Sequence, residues 1–212
     1  MTLFSLRTAF ALLLATSLAS CGGGGDTTYP ISGTVSGLVY DTLTLTAAGQ
    51  TLEIKKNPAN TATVINPVTY TFPKALSYGD PFLVALVKPP QNQNCSVGQN
   101  VTDSAGHRAS INIVVTCNIN LHTVSGKVTG LTSEGLELIN GSVTNTTIPI
   151  TVASLTASNA AGAASFSFVN IPVTQTYGIT ILKQPATQTC TVTNGVGTML
   201  DADVTNIVVD CK

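Results

Sequence analysis

The sequence predicts an all-β protein: two β-sandwich domains in tandem behind an export signal and a Gly-rich tether. Three observations predict it. Charged residues are only 9% of the 212 while Thr and Val are abundant, apolar and polar residues alternate over short runs, and the second part of the chain repeats the first. Few charges and many β-branched residues suit packed sheets. A disordered chain needs the reverse, low hydrophobicity with high charge.

The alternation is clear in Ile31-Ser32-Gly33-Thr34-Val35-Ser36-Gly37, Leu43-Thr44-Leu45-Thr46, Thr147-Ile148-Pro149-Ile150-Thr151-Val152 and Tyr177-Gly178-Ile179-Thr180-Ile181. Period two sends one set of side chains to a core and the other to water. Asn57-Pro58, Asn66-Pro67, Tyr78-Gly79-Asp80, Asn140-Gly141 and Asn194-Gly195 punctuate the runs as turns. Beyond the N-terminal signal no long stretch has helical periodicity. Units of about 90 residues with several short strands are the size of an immunoglobulin-like or transthyretin-like sandwich.

The repetition runs in order at nearly constant offset. Ile31–Leu38 matches Val124–Leu131 (124 − 31 = 93), and Tyr70-Thr71-Phe72 matches Phe166-Ser167-Phe168 (166 − 70 = 96). Cys95-Ser96-Val97 matches Cys190-Thr191-Val192 (190 − 95 = 95), and Asn112–Cys117 matches Asn206–Cys211 (206 − 112 = 94). The expected boundaries are 1–20 for the signal, 21–28 for an anchored Cys and flexible tether, 29–118 for the first sandwich and 122–212 for the second. Asn118–Leu121 is a short junction that allows limited bending.

Four of the five cysteines fall in equivalent places in the two copies, with separations of 22 (117 − 95) and 21 (211 − 190). Export permits disulfides, so Cys95–Cys117 and Cys190–Cys211 are the expected bridges. Each is worth about 3 kcal/mol by chain entropy. A metal or redox pair would call for CxxC spacing or a histidine partner, and neither is present.

The remaining cysteine, Cys21, follows Arg7, the apolar run Ala9–Ala15 and the block Leu18-Ala19-Ser20. That apolar run is too short to span a bilayer, which takes about 20 residues, but it suits a signal core. The block Leu18-Ala19-Ser20-Cys21 resembles the lipobox of bacterial lipoproteins. The resemblance implies that the Cys21 thiol carries a diacylglycerol, that cleavage falls before it, and that the new amine is acylated, commonly with palmitate. Acyl chains contribute roughly 0.8 kcal/mol per buried methylene, so two or three anchor durably where one does not. Gly22 stands where enteric inner-membrane lipoproteins carry Asp, which favours the outer membrane. Gly22–Gly25 then forms a flexible tether.

Gly-Thr-Val-Ser-Gly-Leu, an aromatic-x-Phe strand, a Cys-x-Val and a closing Val-Thr-Asn-Ile-Val-Val-x-Cys together resemble a repeat found in tandem in bacterial surface lipoproteins of uncharacterised function. The resemblance covers nearly all the mature chain and fits the second copy better. In the first copy, Ser104-Ala105-Gly106-His107-Arg108 makes an unusual loop before the last strand. The resemblance implies an exposed β-sandwich module and supplies no catalytic residues.

The residues offer little chemistry. His107 and His122 have no His or Cys at ligand spacing and read as solvated surface side chains. Ser32-Gly33 and Ser36-Gly37 do not make a GxSxG elbow, and those glycines read as bulges or close-packing points. Glu134 and Glu137 flank a strand start. Asp201-Ala202-Asp203 could hold calcium through oxygen ligands, but the EF-hand signature is absent and a solvated turn is the simpler reading. No phosphate loop is present. Loss of Arg7 with the signal leaves 8 basic and 10 acidic side chains, a balance of −2. No basic stripe offers a nucleic-acid footprint. The tyrosines at 29, 40, 70, 78 and 177, with no Trp, are a thin supply of sugar-binding platforms.

The expected function is therefore non-enzymatic: a membrane-anchored structural or adhesion-like interaction module of the cell envelope, without cofactor or metal. Its expected partners are the membrane, through lipid on Cys21, and an envelope protein or glycan. The alternative is an envelope binding protein for a glycan or small ligand.

Overall fold

The computed structural model describes residues 27–142, 146–150 and 164–212. The signal and Cys21 lie outside the described residues. The first half contains β1 (Thr28–Tyr29), β2 (Ile31–Ser36), β3 (Thr42–Ala47), β4 (Gln50–Lys55), β5 (Val68–Thr71), β6 (Leu76–Ser77), β7 (Pro81–Leu83), β8 (Ala85–Lys88), β9 (Gln93–Val97), β10 (Thr102–Ser104) and β11 (Ile111–Ile119). The second contains β12 (Leu121–Thr129), β13 (Leu136–Asn140), β14 (Thr146–Ile150), β15 (Ala164–Pro172), β16 (Thr176–Lys183), β17 (Cys190–Thr193), β18 (Val196–Thr198) and β19 (Val204–Cys211). The described residues are all-β and contain no helix.

In the first half a four-stranded sheet of order β5-β2-β11-β9 faces a three-stranded sheet β4-β3-β8. In the second, β15-β12-β19-β17 faces β14-β13-β16-β18. Each half thus has one sheet in which the first long strand lies parallel to the last: β2 beside β11, and β12 beside β19. A parallel pair needs a long crossover, and here the opposite sheet supplies it.

Alternation does what period two requires. On β2, Ile31 and Val35 are fully buried while Ser32, Thr34 and Ser36 are partly exposed, and on β11 Ile111, Ile113, Val115 and Cys117 all point inward. One hydrophobic cluster joins these to Leu43, Leu45 and Ile54 of the facing sheet. A second gathers Val124, Val128, Phe166, Phe168, Ile207 and Val209 against Leu136, Leu138 and Ile179. Burying each such side chain contributes about 1.5–3 kcal/mol. Within each cluster an edge-on ring pair packs, Tyr70 with Phe72 and Phe166 with Phe168, both at 6.1 Å.

Buried asparagines hold two connections. Asn60 ties the loop between β4 and β5: its amide donates to the Leu38 and Asn66 carbonyls (2.8 and 2.9 Å), and its oxygen accepts from the Asn66 amide (2.7 Å). Asn140 accepts from the Gly178 amide at 3.0 Å at the expected Asn-Gly turn. The junction is shorter than expected, since Asn118 and Ile119 finish β11 and Leu121 opens β12. Only Asn120 lies between them. Its amide donates to the Asn92 carbonyl (2.9 Å), and its carbonyl accepts from Val173 (3.0 Å). Thr28, expected in the tether, pairs with Ser77.

Candidate functional site

The four cysteines that the sequence pairs are bonded as expected, Cys95 to Cys117 and Cys190 to Cys211. In each half the two cysteines face each other across antiparallel neighbours, β9 with β11 and β17 with β19. Because β9 and β17 are outer strands, each bridge fastens a sheet edge, and all four sulfur-bearing residues are buried.

Two residues before each bridge stands a glutamine that the sequence reading passed over. The Gln93 oxygen accepts from the Val39 and Tyr40 amides (2.8 and 3.0 Å), and its nitrogen donates to the Gly37 carbonyl (2.6 Å). Gln188 repeats the arrangement: its oxygen accepts from Thr132 and Ser133 (2.6 and 3.1 Å), and its nitrogen donates to Gly130 (2.8 Å). The recurring Gln-x-Cys was the available signal. Gly37 and Gly130 adopt positive φ (79° and 71°), which a side chain would strain.

The densest titratable cluster is at the junction. His122, at the start of β12, places Nε2 2.9 Å from Asp201 Oδ1 and Nδ1 3.2 Å from Asp203 Oδ1. The Asn120 side-chain amide donates to Asp201 (2.9 Å) and the Thr123 backbone amide to Asp203 (2.9 Å). His122 is therefore not the freely solvated side chain expected, and its side chain is only 22% exposed. Hydrogen bonding to Asp201 foremost, and then to Asp203, raises its pKa against a smaller opposing effect of burial. The ring and Asn120 hold Asp201 below the usual carboxylate range, and the Thr123 amide, with the ring second, does so for Asp203. With both ring nitrogens taken by carboxylates, His122 has none free to act as a base or ligand. Both carboxylates of the expected Asp-x-Asp turn are engaged as well.

The first half has a local counterpart. Asp103 on β10 accepts from the Ser104 amide (2.8 Å) and meets His107 Nδ1 at 2.8 Å and Arg108 Nε at 3.4 Å from the turn that follows that strand. The Ser104 amide is the main cause of its lowered pKa. Among the described residues, no group of three or more His, Cys, Asp or Glu is arranged to hold a metal ion.

Ser32, beside Gly33, ties strands together rather than standing as a nucleophile. Ser32 Oγ donates to the Ile111 carbonyl (3.1 Å), and its counterpart Ser125 donates to Val204 (3.2 Å). Gly33 and Gly126 are close-packing points, where a Cβ would strike the Ile113 and Ile207 carbonyls respectively.

Two open clefts indent the first half. One, of about 550 Å³, is lined by Thr46, Ala48, Gly49, Pro81, Leu83 and Thr102. The other, of about 770 Å³, is lined by Asp41, Glu53, Lys55, Lys56 and Pro58. Separately, Tyr78 exposes 73% of its surface with the Tyr29 ring 6.4 Å away.

No protein-family model matches the chain, and no curated protein matches it. Two solved structures align loosely over 87% of it at 12% identity. They are the major pilin of Streptococcus pyogenes (96% of that chain, TM-score 0.32) and a shaft pilin of Lactobacillus rhamnosus GG (99% of that chain, TM-score 0.25). Superpositions this loose leave the fold to be argued from the chain's own sheets.

Proposed function

We propose that the mature chain is a lipid-anchored module of the bacterial cell envelope that acts by structure and contact rather than catalysis. The observation that carries this reading is the fate of the cysteines. Two buried bridges take four of five, leaving Cys21 as the one thiol for other chemistry. Bridges of this kind suit an oxidising compartment reached by export, and Cys21 sits where a lipobox resemblance puts an acyl anchor. Gly22 favours the outer membrane. Residues 29–118 and 122–212 act as two repeated domains, each with its own cluster, bridge and glutamine. The saturated His122 ring and the strand-tying serines support the non-enzymatic part. The test is mass spectrometry of the N-terminal peptide from envelope fractions: an acylated Cys21 is expected, lost with its anchoring in Cys21→Ser. An unmodified N-terminus at another residue would refute the anchor.

The glycan-binding alternative has one favouring observation, the exposed Tyr78 ring beside Tyr29. Binding of envelope polysaccharide that Tyr78→Ala abolishes would move the reading to that alternative.

A further inference from the structure

We infer that each half is a tension clamp, so that the module carries pulling force between its membrane anchor and whatever holds its far end. The direction of pull rests on anchoring at Cys21.

The inference comes from where the chain enters and leaves each sheet. Strands β2 and β11 are parallel neighbours, in register from Ile31 opposite Ile111 to Ser36 opposite Thr116. Tension along the chain enters at the Ile31 end of β2 and leaves at the Ile119 end of β11, which are opposite ends of adjacent strands. It therefore slides one strand along the other and loads the cross-strand hydrogen bonds together. In the second half β12 and β19 repeat this, from Val124 opposite Val204 to Thr129 opposite Asp210. Antiparallel neighbours pulled at a shared end would instead open one rung at a time.

Two further observations fall on the same two seams, and a third on the link between them. Ser32 and Ser125 add side-chain hydrogen bonds across them, to Ile111 and Val204. Gly33, Gly37, Gly126 and Gly130 bring each seam close, because a Cβ at any of them would meet a carbonyl of the parallel partner. The single residue Asn120 hands load from β11 to β12, braced by hydrogen bonds to Asn92, Val173 and Asp201. The bridges lie off the load path. They limit how far an opened half extends, since residues 95–117 and 190–211 stay closed.

Single-molecule pulling of the exported chain tests this. With handles at the tether and at Lys212, two events are expected, the first half releasing the 64 residues from Ile31 to Cys95 (95 − 31), about 230 Å. Reductant should lengthen each event by about 75 Å, from bridge separations of 22 and 21 residues. Handles at residues 41 and 56, where Lys56 donates to the Asp41 carbonyl and closes the β3–β4 hairpin, unzip that pair. That direction should yield at a clearly lower force than the terminal pull, because bonds then break singly. Ser32→Ala with Ser125→Ala should lower the terminal force and leave the hairpin force unchanged. Equal forces in the two directions, or a first event much shorter than expected from a terminal strand peeling away, would overturn the clamp. An unacylated N-terminus would remove the anchor but leave this force ratio as it is.

Discussion

The two halves share their wiring position for position and part company at their polar ends. In both, a glutamine two residues before a cysteine holds the turn after the first long strand, and a serine crosses to the last strand. In both, a bridge fastens the outer strand. The histidines differ: His107 meets Asp103 four residues away at the end of β10, while His122 reaches carboxylates 79 and 81 residues distant. What repeats is what packing and backbone satisfaction demand. What varies lies at the strand ends, where water can replace a lost partner and the cost of change is small.

The largest expected effect comes from the bridges. Cys95→Ala with Cys117→Ala, or Cys190→Ala with Cys211→Ala, should each cost about 3 kcal/mol, since the closed loops are nearly equal. Urea melts of the full mature chain check this. A loss confined to one pair would break the equivalence of the halves.

Next are the glutamines, which have the same contacts at different depths. Gln93 is 3% exposed and Gln188 is only partly buried. Gln93→Ala leaves the buried Val39 amide and the part-buried Tyr40 amide and Gly37 carbonyl without their partner and should cost about 2–3 kcal/mol, whereas Gln188→Ala should cost about 1 kcal/mol because solvent replaces the lost partner. Equal costs would show that depth does not separate the two sites.

A smaller effect is expected at Tyr70, whose counterpart is Phe166. Its hydroxyl donates to the Ile113 carbonyl at 2.8 Å, and burial pushes its pKa up to about 12. The missing side chain of Gly33 makes room for that hydroxyl. Tyr70→Phe gives the first half the ring of the second and should cost about 1 kcal/mol. A neutral result in thermal melts would mean that the packed ring, not the hydroxyl, does the stabilising.

Much of this fold is legible in the sequence. Alternation marks β2, β3 and β16 because a two-residue period leaves one clean apolar face, and the matched cysteines fix both bridges. The parallel seams are not legible, because nothing local to Ile31–Ser36 says which distant strand will lie beside it. The His122 cluster is hidden for the same reason. Once β12 and β19 run parallel, with Val124 opposite Val204, His122 and the Asp201–Asp203 turn stand at the same end of adjacent strands. Before that pairing is known, 79 residues separate them. Gln93 and Gln188 were readable as a repeated Gln-x-Cys, but a polar residue with no partner in sequence gives no sign that its partners are backbone groups.

The smallest effect, and the sharpest separation of the halves, is expected at His122. Its folded pKa is raised by Asp201 and Asp203, so its contribution is complete below its unfolded value of about 6.5 and is lost as pH rises through the raised folded value. The carboxylates have the opposite sign. Their folded values are lowered, so their contribution is present above about 3.8 and is lost as pH falls through those lowered values. The cluster therefore stabilises most between these limits, where an imidazolium donates from both nitrogens to two carboxylates. All three groups are near the surface, which keeps the effect small and sensitive to salt. Stability of the full mature chain measured from pH 5 to 9 should fall on the alkaline side of this window. His122→Gln should flatten that fall. If the His122 variant keeps the same alkaline loss, the junction cluster does not set the pH dependence.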